Sequence, residues 1–312
     1  MHLEADPDRL SYFVLCVRDF YLPVITRVMT RPYSLVLGGG AARGFSHLGV
    51  WSWAEGVLGL PHECVGTSMG AVVAAAIACG MNYVTMRQIA DKRAPKRFFS
   101  LDVVAKNGLI AGKKIQQFLT SLFGQRKIED CRCDLCIVAT DIDRGVAVPL
   151  RQGPIVDALM ASIAIPGIFE PIHTQHYRLV DGGMTANLPV QFARCPRILA
   201  SSCFLGNQAK VITVVDTRWD QVKAKMFGIN HTVLAKSLDL FFIANEKLSL
   251  VECEHTKQIL LIKPRIDQGI FSFGEYAMII DAGFGACAAV QETHPAKKWL
   301  RTLCAAQLGA IV

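Results

Sequence analysis

The sequence predicts an α/β fold, a mostly parallel central sheet flanked by helices in three layers. Three observations predict it. Short apolar runs of strand length, Ser34-Leu35-Val36-Leu37, Leu135–Ala139, Val211–Val215 and Ile259–Ile262, punctuate the chain, and the middle two read as strands buried on both faces. The first run leads into a glycine-rich loop, Gly38-Gly39-Gly40-Ala41-Ala42-Arg43-Gly44. A serine flanked by glycines, Gly66-Thr67-Ser68-Met69-Gly70, sits between a short apolar stretch and the small-residue helical run Ala71–Ile77, the strand–turn–helix context of a nucleophile elbow.

Composition sets the class. The chain has 312 residues, 52% of them hydrophobic and 19% charged, which suits a sizeable packed core and excludes disorder. A formal charge of +7 suits an anionic membrane surface or lipid headgroups, or simply a solvated surface; no dense Lys/Arg cluster with interleaved aromatics points to nucleic acid. Eleven cysteines, an odd number, argue for reduced thiols and a cytoplasmic setting. Cys131-Arg132-Cys133-Asp134-Leu135-Cys136 has no second cluster to complete a metal site, and reads as small buried side chains leading into a strand. No metal or cofactor is expected.

Residues 1–31 read as a helical extension and 32–312 as the main domain, divided at Arg31-Pro32. Acidic residues Glu4, Asp6 and Asp8 occupy the place of a basic secretory n-region. Leu10, Phe13, Val14, Val17, Tyr21, Val24, Ile25 and Val28 share one helical side, while Arg18, Asp19 and Arg27 argue against a membrane span. The expectation is a helix docked on the domain or lying on a membrane surface.

The elbow has a steric logic. A serine at the tip of a sharp strand–helix turn has a strained backbone, and Gly66 and Gly70 leave room for neighbouring chain to pass. The following helix points its N-terminus, with its partial positive charge, at Ser68. The first loop is no P-loop, because no Gly-Lys-Ser/Thr follows it, and no register supplies all three glycines of a dinucleotide fingerprint. Clustered backbone N–H groups without bulky side chains suit an oxyanion hole. A third piece, Asp181-Gly182-Gly183, follows the apolar pair Leu179-Val180. Alone it is an Asp-Gly turn; beside the other two it offers a general base.

These three motifs in this order resemble the patatin-like phospholipases, most closely the compact bacterial members. Ala161–Pro171 and Asn187-Leu188-Pro189-Val190 are similar to the stretches that flank the family's Asp-Gly-Gly turn. The resemblance covers roughly residues 33 to 290. It implies a Ser68–Asp181 dyad, with Ser68 as nucleophile and Asp181 as base. It implies an oxyanion hole from the N–H groups of Gly39, Gly40 and Ala41, with Met69 adding a donor and Gly38 and Arg43 supporting the loop. Gly44, Gly66, Gly70, Gly182 and Gly183 are its turn glycines. It implies lipid esters, phospholipids or lysophospholipids, as substrates; the net charge and the N-terminal helix add peripheral contact with a membrane as an expectation.

A Ser-His-Asp triad is the competing arrangement. Of the eight histidines, His47 lies nearest a motif, His173 and His176 precede Asp181, and only His231, His255 and His294 follow it in the order of the α/β-hydrolases. None of the last three sits in a recognisable turn. The charge-free stretch Cys64–Met86 is long enough for a membrane span but contains the elbow, so a helix under the sheet explains it better. A helical insert from Trp219 to Glu254 reads equally as a lid and as core, and Phe273–Val290 as a C-terminal helix. Acyl transfer to another acceptor and a non-catalytic lipid-binding regulator remain the alternatives to hydrolysis.

Overall fold

The computed structural model describes residues 32–93, 108–207, 231–253 and 256–304. The contacts divide the chain into two compact units, Pro32–Ala296 and a second made of Met1–Arg31 with Lys297–Val312. The larger unit starts at Pro32 and ends at Ala296. The expected N-terminal helix and the strand expected at Val211–Val215 lie outside the described residues.

The larger unit is built on an eight-stranded sheet. Its strands are β1 (Ser34–Leu37), β2 (Glu63–Thr67), β3 (Asp134–Asp141), β4 (Val146–Leu150), β5 (Ile172–His173), β6 (Arg178–Asp181), β7 (Arg197–Ser201) and β8 (Gln258–Ile262). The order is β5-β6-β3-β2-β1-β7-β8, with β4 also paired to β3. The pairs β3–β2, β2–β1, β1–β7 and β7–β8 are parallel, whereas β4, β5 and β6 form an antiparallel edge.

Burial explains the apolar runs. Every residue of β1 and β2 is buried, as are Leu135–Asp141 of β3. Val36, Val65, Cys136, Val138, Ile198 and Ala200 form one face and pack on Ala186, Leu188 and Val190. The alternate residues Leu35, Leu37, Cys64, Ile137 and Leu199 are buried on the other face. β7 has no strand-length apolar run: its Ile198-Leu199-Ala200 is followed by Ser201 and Ser202, both fully buried polar residues.

The register brings the site together. Leu37 is level with Gly66 on one side and Ser201 on the other, so the chain leaves β1, β2 and β7 at the same sheet edge. Thr67 is level with Val138, and the next residue, Ala139, is level with Asp181. Consecutive rungs of β3 therefore carry the ends of β2 and β6 to one place. Carboxyl ends of parallel strands are where such sheets present ligand sites.

The helices of the described residues are α1 (Ser46–Val57), α2 (Met69–Ala78), α3 (Tyr83–Arg93), α4 (Gly108–Phe123), α5 (Ile155–Ser162), α6 (His231–Cys253), α7 (Tyr276–Gln291) and α8 (His294–Cys304). The Cys64–Met86 stretch resolves into β2, the elbow, the ten residues of α2 and the start of α3. The expected C-terminal helix is a short 3-10 turn, Phe273–Glu275, continued by α7. Phe273–Gln291 has a mean hydropathy of 1.3 and the length and composition of a membrane span. It packs along α1, where the glycines Gly49 and Gly283 let the two backbones meet: a Cβ on Gly49 would run into the Ile280 carbonyl, and one on Gly283 into that of Ser46.

Because that crossing is backbone against backbone, no side chain can rotate away to make room. Gly49→Ala is expected to destabilise the protein by about 1–3 kcal/mol, the usual cost of overpacking. Urea unfolding checks this, and an unchanged midpoint would show that the crossing has slack.

Candidate active site

Ser68 stands between β2 and α2 with φ 53° and ψ −125°, a conformation strained for any side chain larger than glycine's. Three features hold it. A Cβ on Gly66 would lie 2.6 Å from Ala71 Cα, and one on Gly70 would strike the Leu37 carbonyl, so only glycines allow the elbow to close against β1. The Ser68 N–H donates to Ser162 Oγ at 2.8 Å, and that hydroxyl donates to the Val138 carbonyl at 2.6 Å. Thr67 Oγ1 donates to the Ala186 carbonyl at 2.8 Å.

The Ser68 hydroxyl donates to Asp181 Oδ2 at 2.7 Å. The other carboxylate oxygen, Oδ1, accepts the Gly183 N–H at 2.8 Å. Asp181 is only 4% exposed, and burial pushes its carboxyl up to about 6 against the lowering pull of the Ser68 and Gly183 hydrogen bonds. Gly182, beside it, packs on the Val138 carbonyl. A carboxylate that accepts the Ser68 hydroxyl and is raised to about 6 can take a proton from that hydroxyl.

The glycine loop departs from the sequence expectation at one donor. The Gly39 N–H donates to the Asn187 carbonyl at 3.0 Å, and the Gly38 N–H to the Ser201 carbonyl at 3.0 Å, so Gly39 belongs with Gly38 in fastening the loop. The Gly40, Ala41 and Met69 N–H groups have no acceptor among the described residues. Gly44 packs against the Met69 side chain.

Arg43 is not a solvated helix-start arginine. Its side chain is 3% exposed and pairs with Asp239 of α6 through Nη1 at 3.0 Å and Nη2 at 3.3 Å. Nε donates to the Gln268 carbonyl at 2.9 Å, and the guanidinium lies 5.1 Å from the Phe204 ring centroid.

No histidine approaches Ser68 among the described residues. His47 is fully buried, with Nε2 at 2.7 Å from the Gly38 carbonyl and Nδ1 at 2.9 Å from Ser201 Oγ. A carbonyl only accepts, so Nε2 carries the proton and Nδ1 accepts from Ser201. Burial holds the ring down to about 4, which keeps it neutral at pH 7. His47 is thus a clamp on the loop. His173 and His176 are exposed.

The residue that sequence reasoning missed is Glu246. The insert helix α6 turns it, fully buried, toward the loop. Asn187 Nδ2 donates to Oε1 at 2.7 Å, and the Ser202 hydroxyl donates to Oε2. Asn187 in turn holds the Gly39 N–H through its carbonyl. Burial pushes the Glu246 carboxyl up to about 8, against the lowering pull of those two donors. Nothing in a heptad-like stretch of Leu, Phe and Ser signals such a role for one of its glutamates. The same helix exposes Leu240, Phe241, Leu248 and Val251 on its other side, so α6 is buried on one face and apolar surface on the other.

Beside Ser68 opens an apolar cavity of ≈ 160 Å³. Ala41 and Met69 line it next to Ser68, Val72 and Ala76 continue it along α2, and Met86, Phe118 and Leu122 wall it from α3 and α4. Among its described lining residues Ser68 alone has a polar side chain.

Residues 35–194 match the family model described as patatin-like phospholipase. An uncharacterized NTE family protein of Mycobacterium tuberculosis is 32% identical over 303 residues, covering 89% of this chain and 49% of its own. A protein of Emericella nidulans named lysophospholipase nte1 is 32% identical over 170 residues, covering 53% of this chain and 11% of its own. The chain thus spans about half the length of the mycobacterial relative and about a tenth of the fungal one. VipD from Legionella pneumophila aligns in structure with a TM-score of 0.43 and 13% identity, over 85% of this chain and 67% of that one. With its motifs gathered at one sheet edge and half its length matched by the family model, this chain belongs to the patatin-like phospholipase family.

Proposed function

We propose that the protein is a serine acyl hydrolase of lipid esters, phospholipids or lysophospholipids, working through a Ser68–Asp181 dyad. The observation that carries the reading is the 2.7 Å hydrogen bond from Ser68 Oγ to a buried Asp181, made at the wall of an apolar cavity. Hydrocarbon fits such walls, and burying each methylene there contributes about 0.8 kcal/mol of binding.

The chemistry follows from the contacts. Ser68 Oγ attacks the ester carbonyl carbon while its proton passes to Asp181 Oδ2. The carbonyl oxygen becomes an oxyanion held by the N–H groups of Gly40, Ala41 and Met69, which have no acceptor among the described residues, at the positive end of α2. The C–O bond to the alcohol breaks, and the alcohol leaves with the proton from Asp181. Water, deprotonated by the same carboxylate, attacks the acyl-enzyme; the Ser68–acyl bond breaks, Ser68 regains its proton, and the fatty acid departs. Gly38, Gly39 and Arg43 keep the loop in place throughout. Peripheral membrane contact forms part of the reading, supported by the net charge of +7 and the exposed apolar face of α6, and a cytoplasmic location is part of it on the odd cysteine count.

Purified protein given p-nitrophenyl acyl esters and a lysophospholipid tests the reading. Ser68→Ala is expected to lose at least ~10³-fold in kcat/KM, and Asp181→Asn about 10²–10⁴-fold. Turnover that survives both changes would rule the dyad out.

The pH profile follows from the two buried carboxyls. Asp181 accepts a proton only when ionised, so kcat/KM should rise through about 6. Glu246 is neutral below about 8. Cys203, which follows β7, is an ionisable group close enough to feel its charge. Above that pH its charge appears beside the Gly38-Gly39 backbone and disfavours an oxyanion, so activity should fall. Glu246→Gln mimics the neutral acid: near-normal activity at pH 7 and loss of the alkaline limb are expected. An unchanged alkaline limb in that variant would assign it to another group.

A further inference from the structure

Two thiol pairs lie where α2 ends and the chain approaches β3. Cys79 closes α2, and Cys131 follows the 3-10 turn Ile128–Asp130; their Sγ atoms are 3.9 Å apart. Both are half-buried. The backbone beside them is already joined, because the Arg132 N–H donates to the Ala78 carbonyl at 2.8 Å. A disulfide needs the sulfurs about 2.05 Å apart. Side-chain rotation over a fixed backbone can supply an approach of that size. The neighbouring pair, Cys133 and Cys64, has its sulfurs 3.8 Å apart, but Cys64 is fully buried on β2.

We propose that Cys79 and Cys131 form a reversible dithiol–disulfide site that takes a hydroperoxide as its oxidant and ties the end of the nucleophile's helix to the lead-in of β3. The inference stands independently of the hydrolase reading. The two thiols are unequal. Hydrogen bonding from Cys131 and the nearby Arg126 guanidinium bring the Cys79 thiol down to about 7 against the effect of burial, whereas Cys131 is pushed up. Burial pushes Cys64 well up, which denies the second pair a thiolate.

Cys79 is therefore the attacking sulfur and Cys131 the resolving one. The Cys79 thiolate attacks one oxygen of hydrogen peroxide; the O–O bond breaks, and hydroxide leaves to be protonated to water. Cys79 is now a sulfenic acid. The Cys131 sulfur attacks it, the S–O bond breaks, and the second hydroxide leaves with the Cys131 proton as water. Two thiols and one peroxide become one disulfide and two waters, the sulfurs losing two electrons and the peroxide gaining them. A dithiol reductant reverses the exchange.

The bond would close a loop between residues 52 apart in sequence, which restrains the unfolded chain. The test treats the full, reduced chain with a small excess of hydrogen peroxide at neutral pH, alkylates the remaining thiols, and maps the peptides by mass spectrometry. The expected result is a Cys79–Cys131 linked peptide, removed by dithiothreitol, with a Tm raised by ~5 °C or more. Cys131→Ser should stop at a Cys79 sulfenic acid that dimedone captures, and Cys79→Ser should leave Cys131 as the free thiol at the same dose. The proposal is overturned if wild-type protein gives no linked peptide, if Cys64–Cys133 forms first, or if dimedone labels Cys131 in preference to Cys79. The wild-type peptide map decides the matter even if a variant fails to fold.

Discussion

A serine held at φ 53° cannot keep that conformation unaided, and much of the site's architecture serves to hold it. Strain of this kind costs about 1–3 kcal/mol and persists only where surrounding contacts over-determine it. Here they come from three strands. β1 passes so close to Gly70 that only a glycine fits; β3 anchors Ser162, whose hydroxyl takes the Ser68 N–H; and β6 delivers Asp181 to the serine's own hydroxyl. Move any of these strands by one residue of register and Ser68 loses a support or its Asp181 partner, because a one-residue slip reverses every side chain's face.

The loop opposite the serine is held by polar groups removed from water. His47 and Ser201 grip the Gly38 carbonyl and the strand beside it, Asn187 grips Gly39, and Glu246 and Asn245 grip Asn187. Arg43 fastens the loop's far end to Asp239 and Gln268. Each such group, left unpaired, would cost about 1–3 kcal/mol, so the set tolerates few alternative arrangements and fixes one loop geometry. The helix α6 supplies Asp239, Asn245 and Glu246 to it, and its polar inner face and apolar outer face follow from that task.

Strands β1, β3 and β8, the elbow at Ser68 and the turn at Asp181 were legible in the sequence because each leaves a short-range mark. Buried strands leave apolar runs, and a strained elbow leaves paired glycines around Ser68. The Asp181 turn leaves two glycines of its own. The supports left no such mark. β7 was illegible because its apolar core is three residues long and its polar end, Ser201-Ser202, is buried by pairing with His47 and Glu246 rather than by being hydrophobic. Glu246 was illegible because its partner Asn187 lies 59 residues away, and nothing local distinguishes it from a solvated glutamate. The family resemblance implies an oxyanion-hole N–H at Gly39, and only the fold shows that this N–H is already bonded, to the Asn187 carbonyl.

The central claim is that Asp181 activates Ser68 directly. Covalent trapping tests it without a choice of lipid: a fluorophosphonate is added to wild-type protein and to Asp181→Asn across pH, and the adduct is mapped by mass spectrometry. The account predicts a single adduct on Ser68, formed at a rate that rises as Asp181 ionises near 6 and falls by orders of magnitude in the variant. An adduct on another residue, or a Ser68 adduct formed at the same rate without the Asp181 carboxylate, would contradict it.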